Sequence, residues 1–600
     1  MRIMTLKYVA AATAIAGVAM ASNWTGAEPA VAPQTEAAPR LAEHCTPTVI
    51  QEVADALDAG VTIAKVPNGP QFEGGTRFVA AKGKTPAFCQ VTGSYVTNPA
   101  TGKTANFIAT FPADWNGKYL QLGCSGSCGV LLMNDPAMPA IAITAQGWPG
   151  QLLEKGYATF GNDLGHVANG PGIGWDWAFR EDGSLSEDNL ADYLYRADEV
   201  LADTGKALAA ALYTRLSQSE RSIERSYYSG CSQGGRGALV AASRFPEKFD
   251  GIVAGSPAAD LPGLIVHPAG RAMLAAQEGA PKLSPAQEGL LRERVTAQCD
   301  ALDGVEDGLI QNPFACAFNP ETDLPVCRPG SEGEDCFTPE QTRLLGAFVS
   351  AAADSEGNAV APGHSVSEIS LSFDRAPSGG AAHDAVVRRF AMAPVGGEPL
   401  VWYSPAVTGK AGSTHVVADA DAYRRLAAIL RDGSVSAEDI SRLVEANRKL
   451  LWYHNLSDEA LTPVMSINRY KALAKLHGGY GELQKNIRLF SLPGTGHCGM
   501  SGVGPTNFDA IGALEAWVER GVAPNALFAR KLDPATENVV MGTIDWDRVS
   551  PRTMPLCMFP EMAHYKGNGD VNNAASWECR ADDTRMLGLG RSGKRAGVVE

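Results

Sequence analysis

The sequence predicts an α/β protein: a parallel sheet covered by helices on both faces, its two halves separated by an insertion between about residues 256 and 440. Two observations predict this. Strand-like and helix-like segments alternate twice, from about residue 75 to 255 and again from 441 onward, and between them the rhythm gives way to Pro, Gly, Cys and short helical pieces. The expected division is therefore 45–255 with 441–600 as one domain, and 256–440 as a second.

The elements can be justified in order. "FCQVTGSYV", "NFIATFP" and "KYLQLGC" are apolar runs bounded by Gly, Pro and Asn, which is how strands read. "QLLEKGYATFGND" is a helix end, a glycine and a strand, and "NLADYLYRADEVLADTGKALAAALY" spaces its apolar residues by three and four, as a long amphipathic helix does. A strand ("RSYYSG"), a helix ("GGRGALVAASRF") and a strand ("GIVAGSP") follow. Beyond the insertion come "KLLWYHN" (strand), "VMSINRYKALAKLHG" (helix), "IRLFSLPG" (strand) and "NFDAIGALEAWVERG", a helix closed by Gly521.

With 45% hydrophobic and 20% charged residues, 64 Gly and 37 Pro, the chain reads as globular and loop-rich. A net charge of -15 and the lack of any basic block argue against a nucleic-acid partner, because phosphate binding depends on clustered Lys and Arg. The first residues carry Arg2 and Lys7, an apolar run from Tyr8, and Ala19-Met20-Ala21, the pattern of an export signal (1–21) cleaved after Ala21. No other stretch approaches the length of a membrane span, so no membrane partner is expected, and the mature chain is expected in the periplasm or outside the cell. Residues 22–44, rich in Ala, Pro and Glu, read as a flexible N-terminus.

Export changes the meaning of 12 cysteines, since thiols in an oxidising compartment pair. Proximity suggests Cys124 with Cys128, Cys299 with Cys316, Cys327 with Cys336, and Cys557 with Cys579, although spacing does not settle connectivity. None has the CxxC spacing of a zinc site.

Gly230-Cys231-Ser232-Gln233-Gly234 is a Gly-x-Ser-x-Gly pentapeptide between a strand and a helix, a context that would hold a serine hydroxyl out at the carboxyl end of a sheet. A neutral hydroxyl attacks poorly, so such a serine needs a base and an acid to orient that base, and on this type of fold they follow as acid, then histidine, after later strands. Asp458 lies past "KLLWYHN" and His497 past "IRLFSLPG", which satisfies that order. Glu459 is the alternative acid. His454 precedes the acid on the same strand end and is expected to buttress the loop, and His166, before the serine, to line or brace the same mouth. Stabilising a tetrahedral oxyanion takes two N–H donors. Gln233, directly after the serine, is one; Ser125 or Gly126 in "LQLGCSGSCGV" is the other. A hydrolase using Cys231 itself, or a non-catalytic binding protein on the same scaffold, are the competing readings.

With these residues placed, the chain resembles the tannase and feruloyl esterase family of secreted serine esterases, over about residues 45 to 580. The stretches that carry the resemblance are "YYSGCSQGGRGALVAASRFPEKFDGIVAGSPA", "LLWYHNLSDEALTP", "LPGTGHCGMSGVGPTNFDAIGALEAWVERGVAP" and "CDALDGVEDGLIQNPFAC". The resemblance implies an α/β-hydrolase core with a large inserted lid domain, and hydrolysis of small esters of aromatic acids: gallates, ferulates or a terephthalate monoester. It also implies a disulfide between Cys231 and Cys498. Two departures stand out: Asn455 occupies a position where the family usually has glycine, and "RADEV" (196–200) lacks a histidine common in that helix. Arg388, Arg389, Trp402 and Tyr403 are candidate pocket residues within the insertion.

"CDALDGVEDGLIQNPFAC" sets Asp300, Asp303 and Asp307 close together between two cysteines. Hard oxygen ligands at such spacing suit calcium, though not in EF-hand order. The resemblance assigns a structural calcium to these three with the carbonyls of Val305 and Leu309.

Overall fold

The computed structural model describes residues 37–83, 85–131, 149–168, 175–265, 283–354, 359–367, 417–418, 420–499, 502–532 and 549–581. Ten described strands form one sheet. In chain order they are β1 (Val61–Ile63), β2 (Thr76–Val79), β3 (Phe88–Asn98), β4 (Lys103–Pro112), β5 (Lys118–Leu122), β6 (Ala158–Asn162), β7 (Arg225–Cys231), β8 (Gly251–Gly255), β9 (Lys449–Asn455) and β10 (Ile487–Leu492). The order across the sheet is β1-β3-β4-β6-β5-β7-β8-β9-β10, with β2 also on β3.

The expected parallel sheet is present from β6 to β10, every neighbouring pair there being parallel. The N-terminal strands differ. β3 pairs antiparallel with β1, β2 and β4, and β4 pairs antiparallel with β6. Only a few residues separate β3 from β4, too few for the crossover that parallel pairing requires, so this part of the sheet is a meander.

The parallel strands are buried on both faces, as helix-covered strands must be. Along β9, Leu450 and Trp452 join the cluster that includes Leu201, Leu208 and Leu212 of the helix Ala197–Ser217, while Leu451 and Tyr453 join the opposite cluster with Ile511, Leu514 and Trp517 of the helix Ala510–Arg520. The long helix predicted from residue 189 is interrupted by a π-helical turn, Asp192–Arg196, before it continues to Ser217.

Residues 37–44, expected to be flexible, form a helix, Ala37–His44. Its Leu41 is buried, and the Cys45–Cys89 disulfide ties its end to β3, so one apolar anchor and one covalent bond overcome the local composition. The signal and the rest of the N-terminal stretch lie outside the described residues.

Between β8 and β9 the segment has a hydrophobic cluster of its own around Leu291, Val295, Phe318, Phe337, Leu345 and Phe348. Leu426, Leu430, Ile440 and Leu443 instead pack in the cluster of the main sheet, so core packing resumes before residue 440. All four proximity pairs of cysteines are disulfides, and among the described residues no cysteine is free.

Candidate active site

The parallel strands bring their carboxyl ends to one edge: Cys231 is level with Gly255, Gly255 with Tyr453, and Asn455 with Leu492. Ser232, Asp458 and His497 lie just beyond these ends. Strand β7 runs into the helix Gln233–Arg244 with a single residue between them, and that residue, Ser232, sits at φ 64°, ψ -123°. Such a conformation is strained for a residue with a side chain and persists only where the surroundings impose it. Two glycines allow the turn: a Cβ on Gly230 would lie 2.3 Å from the Gly234 carbonyl oxygen, and one on Gly235 would lie 2.2 Å from that of Gly255.

Three side chains then join in one chain of hydrogen bonds. Ser232 Oγ lies 2.9 Å from His497 Nε2, and His497 Nδ1 lies 2.8 and 3.0 Å from the two oxygens of Asp458. The Asp458 carboxylate is fully buried and also accepts the Ala460 and Leu461 N–H groups. Burial alone would push it up; the His497 imidazole and these donors outweigh that and hold it below the usual carboxylate range. For His497 burial pulls the other way, but Asp458 and then Glu459 overcome it, and its pKa rises above the ordinary 6.5. Such an arrangement can hold an imidazole in one tautomer, with Nε2 turned to the serine hydroxyl.

The two rival residues find other work. Glu459 meets the same histidine through its backbone: its Oε2 accepts the His497 N–H at 3.0 Å. His454 is buried, accepts from Ser466 Oγ at 2.6 Å and donates to the Leu461 carbonyl at 2.8 Å, and burial lowers its pKa to about 4. It is a neutral brace under the acid loop. His166, also lowered by burial to about 4, stacks on Trp177 with ring centroids 4.1 Å apart and sits beside Gly129, bracing the glycine-rich loop.

That loop passes against the start of the helix after Ser232: a Cβ on Gly234 would lie 2.9 Å from the carbonyl oxygens of Gly123 and Cys124. The Cys124–Cys128 disulfide closes it, and the Cys128 N–H bonds the Ser125 carbonyl, making a tight turn with Gly126 at φ 63°. Gln233 begins the helix, where the first N–H groups have no acceptor within it. Cys231 and Cys498 are bonded, with Cα atoms 6.1 Å apart although 267 residues separate them.

Sequence reasoning missed the ties beneath the triad. Asn455 donates to Thr495 Oγ1 at 2.7 Å and accepts from Ser256 Oγ at 2.8 Å, so it bolts together the ends of β8, β9 and β10. Its departure from the family's glycine was the available signal.

In the acidic loop, Asp300 and Asp303 are buried, and Asp300 Oδ1 and Asp303 Oδ2 have no hydrogen-bond partner. Burial, then Asp307 and Asp300, push Asp303 up to about 7. Asp307 pairs with Arg552. Among the described residues no three His, Cys, Asp or Glu side chains gather as a ready metal cage. The all-oxygen donor set and the two orphaned carboxylate oxygens nevertheless fit a hard cation that also takes carbonyls. Arg388, Arg389, Trp402 and Tyr403 lie outside the described residues.

A model of the family described as "Tannase and feruloyl esterase" matches residues 89–580. The chain belongs to the tannase and feruloyl esterase family. It is 28% identical over 558 residues to the mono(2-hydroxyethyl) terephthalate hydrolase of Piscinibacter sakaiensis, covering 84% of this chain and 86% of that one. It is 31% identical over 493 residues to a probable feruloyl esterase of Arthroderma benhamiae, covering 78% and 81%. Feruloyl esterase B from Aspergillus oryzae superposes with a TM-score of 0.66 at 20% identity, covering 88% of this chain and 100% of that one. Tannin acyl hydrolase from Aspergillus niger does so with 0.64 at 19%, covering 92% and 97%. The fold is thus that of the α/β-hydrolases, and this family member is a carboxylic ester hydrolase.

Proposed function

We propose that this esterase cleaves esters of aromatic acids through an acyl-enzyme on Ser232. The observation that carries the reading is the unbroken hydrogen-bond chain from Ser232 Oγ through His497 to Asp458. His497 Nε2 takes the serine proton as Oγ attacks the ester carbonyl; the imidazolium, balanced by Asp458, then gives that proton to the leaving alcohol. Water repeats the attack, with His497 again as base, and frees the acid. The Gln233 N–H and the Gly126 turn hold the oxyanion. The bonded state of Cys231 leaves it no thiolate, which argues against a cysteine nucleophile.

Ser232→Ala is expected to leave a folded protein whose turnover drops by about four orders of magnitude or more. Retained turnover would sink the assignment. A panel of methyl ferulate, methyl gallate and mono(2-hydroxyethyl) terephthalate identifies the acid. The relative from Piscinibacter sakaiensis favours including the last.

Two further roles belong to this reading. The insertion serves as a lid over the triad, and its acidic loop holds a structural calcium through Asp300, Asp303 and Asp307 with the carbonyls of Val305 and Leu309. Bound there, calcium would offset the carboxylates' mutual repulsion. The protein is exported: six disulfides suit an oxidising compartment, and among the described residues no helix is long and apolar enough to cross a membrane. N-terminal sequencing of the mature protein should begin at Ser22.

A further inference from the structure

The segment inserted between β8 and β9 reaches back to the acid loop through a short stretch, residues 361–367. Its first half is anchored on the inserted helix Pro339–Val349. The His364 N–H bonds the Phe348 carbonyl, the His364 ring stacks on Phe348 at 4.5 Å, and a Cβ on Gly363 would lie 2.3 Å from the Val349 oxygen. Its second half faces the loop that carries Asp458. Ser365 Oγ and Ser367 Oγ both donate to the Leu456 carbonyl, at 2.9 and 3.2 Å, and Ser457 Oγ donates to Ser367 Oγ at 2.9 Å. Beyond the acid, Thr462 Oγ1 donates to the Gly363 carbonyl at 2.8 Å.

These contacts bracket Asp458 on both sides and are sealed from water: Ser365, Ser367, Ser457 and Thr462 are each 4% exposed or less. Hydrogen bonds in such a place are costly to leave unmade, so they tie the segment and the loop into one body. Asp458 itself is aimed by the backbone N–H groups of Ala460 and Leu461, which belong to that body. Among the described residues, the charged or titratable groups facing His497 are Asp458, Glu459 and His454, all on the strand end or loop that the segment holds.

We infer that Ser365 and Ser367 are positioning residues for the catalytic acid, so that the inserted segment is part of the machinery that aims Asp458 at His497. This rests on the triad reading above. Ser365→Ala/Ser367→Ala should lower kcat roughly tenfold while KM stays within about twofold, since a misaimed acid harms the chemical step more than binding. The acid limb of the rate profile should also move to lower pH, because a displaced carboxylate supports the imidazolium less. A purely structural weakening would lower the melting temperature and leave that limb in place.

Ser457→Ala, made from the loop side, provides the second variant: it should shift the limb in the same direction, and combining it with Ser367→Ala should add little to Ser367→Ala alone. Wild-type rate with an unmoved limb, lost rate with an unmoved limb, or full additivity would each overturn the inference. Ser232→Ala is assayed on the same ester. Turnover that survives it counts against the triad, whereas a triad-dependent enzyme with an unmoved limb counts against the serines alone.

Discussion

The loop after β9 and the acidic loop between Cys299 and Cys316 both bury aspartates, and the two regions treat them oppositely. Both oxygens of Asp458 are bonded, to His497 and to two backbone N–H groups, and its carboxyl is held low. Asp300 and Asp303 each keep one oxygen without a partner, and Asp303 is pushed up to about 7. Residue type and burial are alike, so the partners decide the sign. The first region is complete within the chain; the second keeps the unpartnered oxygens on which the proposed calcium rests.

Breaking the first region should have the largest effect. Asp458→Asn should cost roughly 10³- to 10⁴-fold in kcat, since it removes the group that fixes the His497 tautomer. The same variant tests the pH argument. His497 must be neutral to accept the serine proton, so activity falls as pH drops through its pKa, which lies above 6.5 in the intact protein. Without the carboxylate, burial dominates and the limb moves to lower pH; a kcat/KM profile that stays in place would contradict this.

Next comes the covalent tie between the nucleophile and base loops. Cys231→Ser/Cys498→Ser should reduce kcat about tenfold, because proton transfer depends on a separation the bond maintains. Circular dichroism should still report a folded protein, and peptide mapping of the unsubstituted protein should recover 231 linked to 498. A smaller change is expected from Glu459→Gln: the amide oxygen can still accept the His497 N–H while the charge is lost, so kcat should stay within about threefold while the acid limb falls by a few tenths of a pH unit, roughly.

The second region should affect turnover least. Chelation of calcium with EGTA should lower the melting temperature by about several degrees with little change in kcat at assay temperature. A melting curve indifferent to EGTA and to added calcium would remove the proposed ion.

Sequence reading and structure agree most closely where the signal is local. The pentapeptide predicts its strand-turn-helix from within, since a Cβ on Gly230 would meet Gly234 in the next turn, whereas Gly234 and Gly235 make room for Gly123 and Gly255 far along the chain. The order Ser232, Asp458, His497 was legible because each follows an apolar strand whose residues alternate between two buried faces. The choice between Asp458 and Glu459 was not. Adjacent residues leaving a loop point in different directions, and only the fold shows one carboxylate on the imidazole and the other on the backbone of the same histidine.

What the sequence by itself determined is therefore the chemistry available: a serine, a histidine and carboxylates at strand ends, and cysteines close enough to pair. Only the tertiary structure decided the role of Asn455 and the serine contacts under the acid loop. The physical reason is distance along the chain. Periodicity and turn chemistry act within a few residues, whereas Ser365 meets Leu456 across 91 positions, Ser256 meets Asn455 across 199 and Ser232 meets His497 across 265. Those partners are chosen by packing.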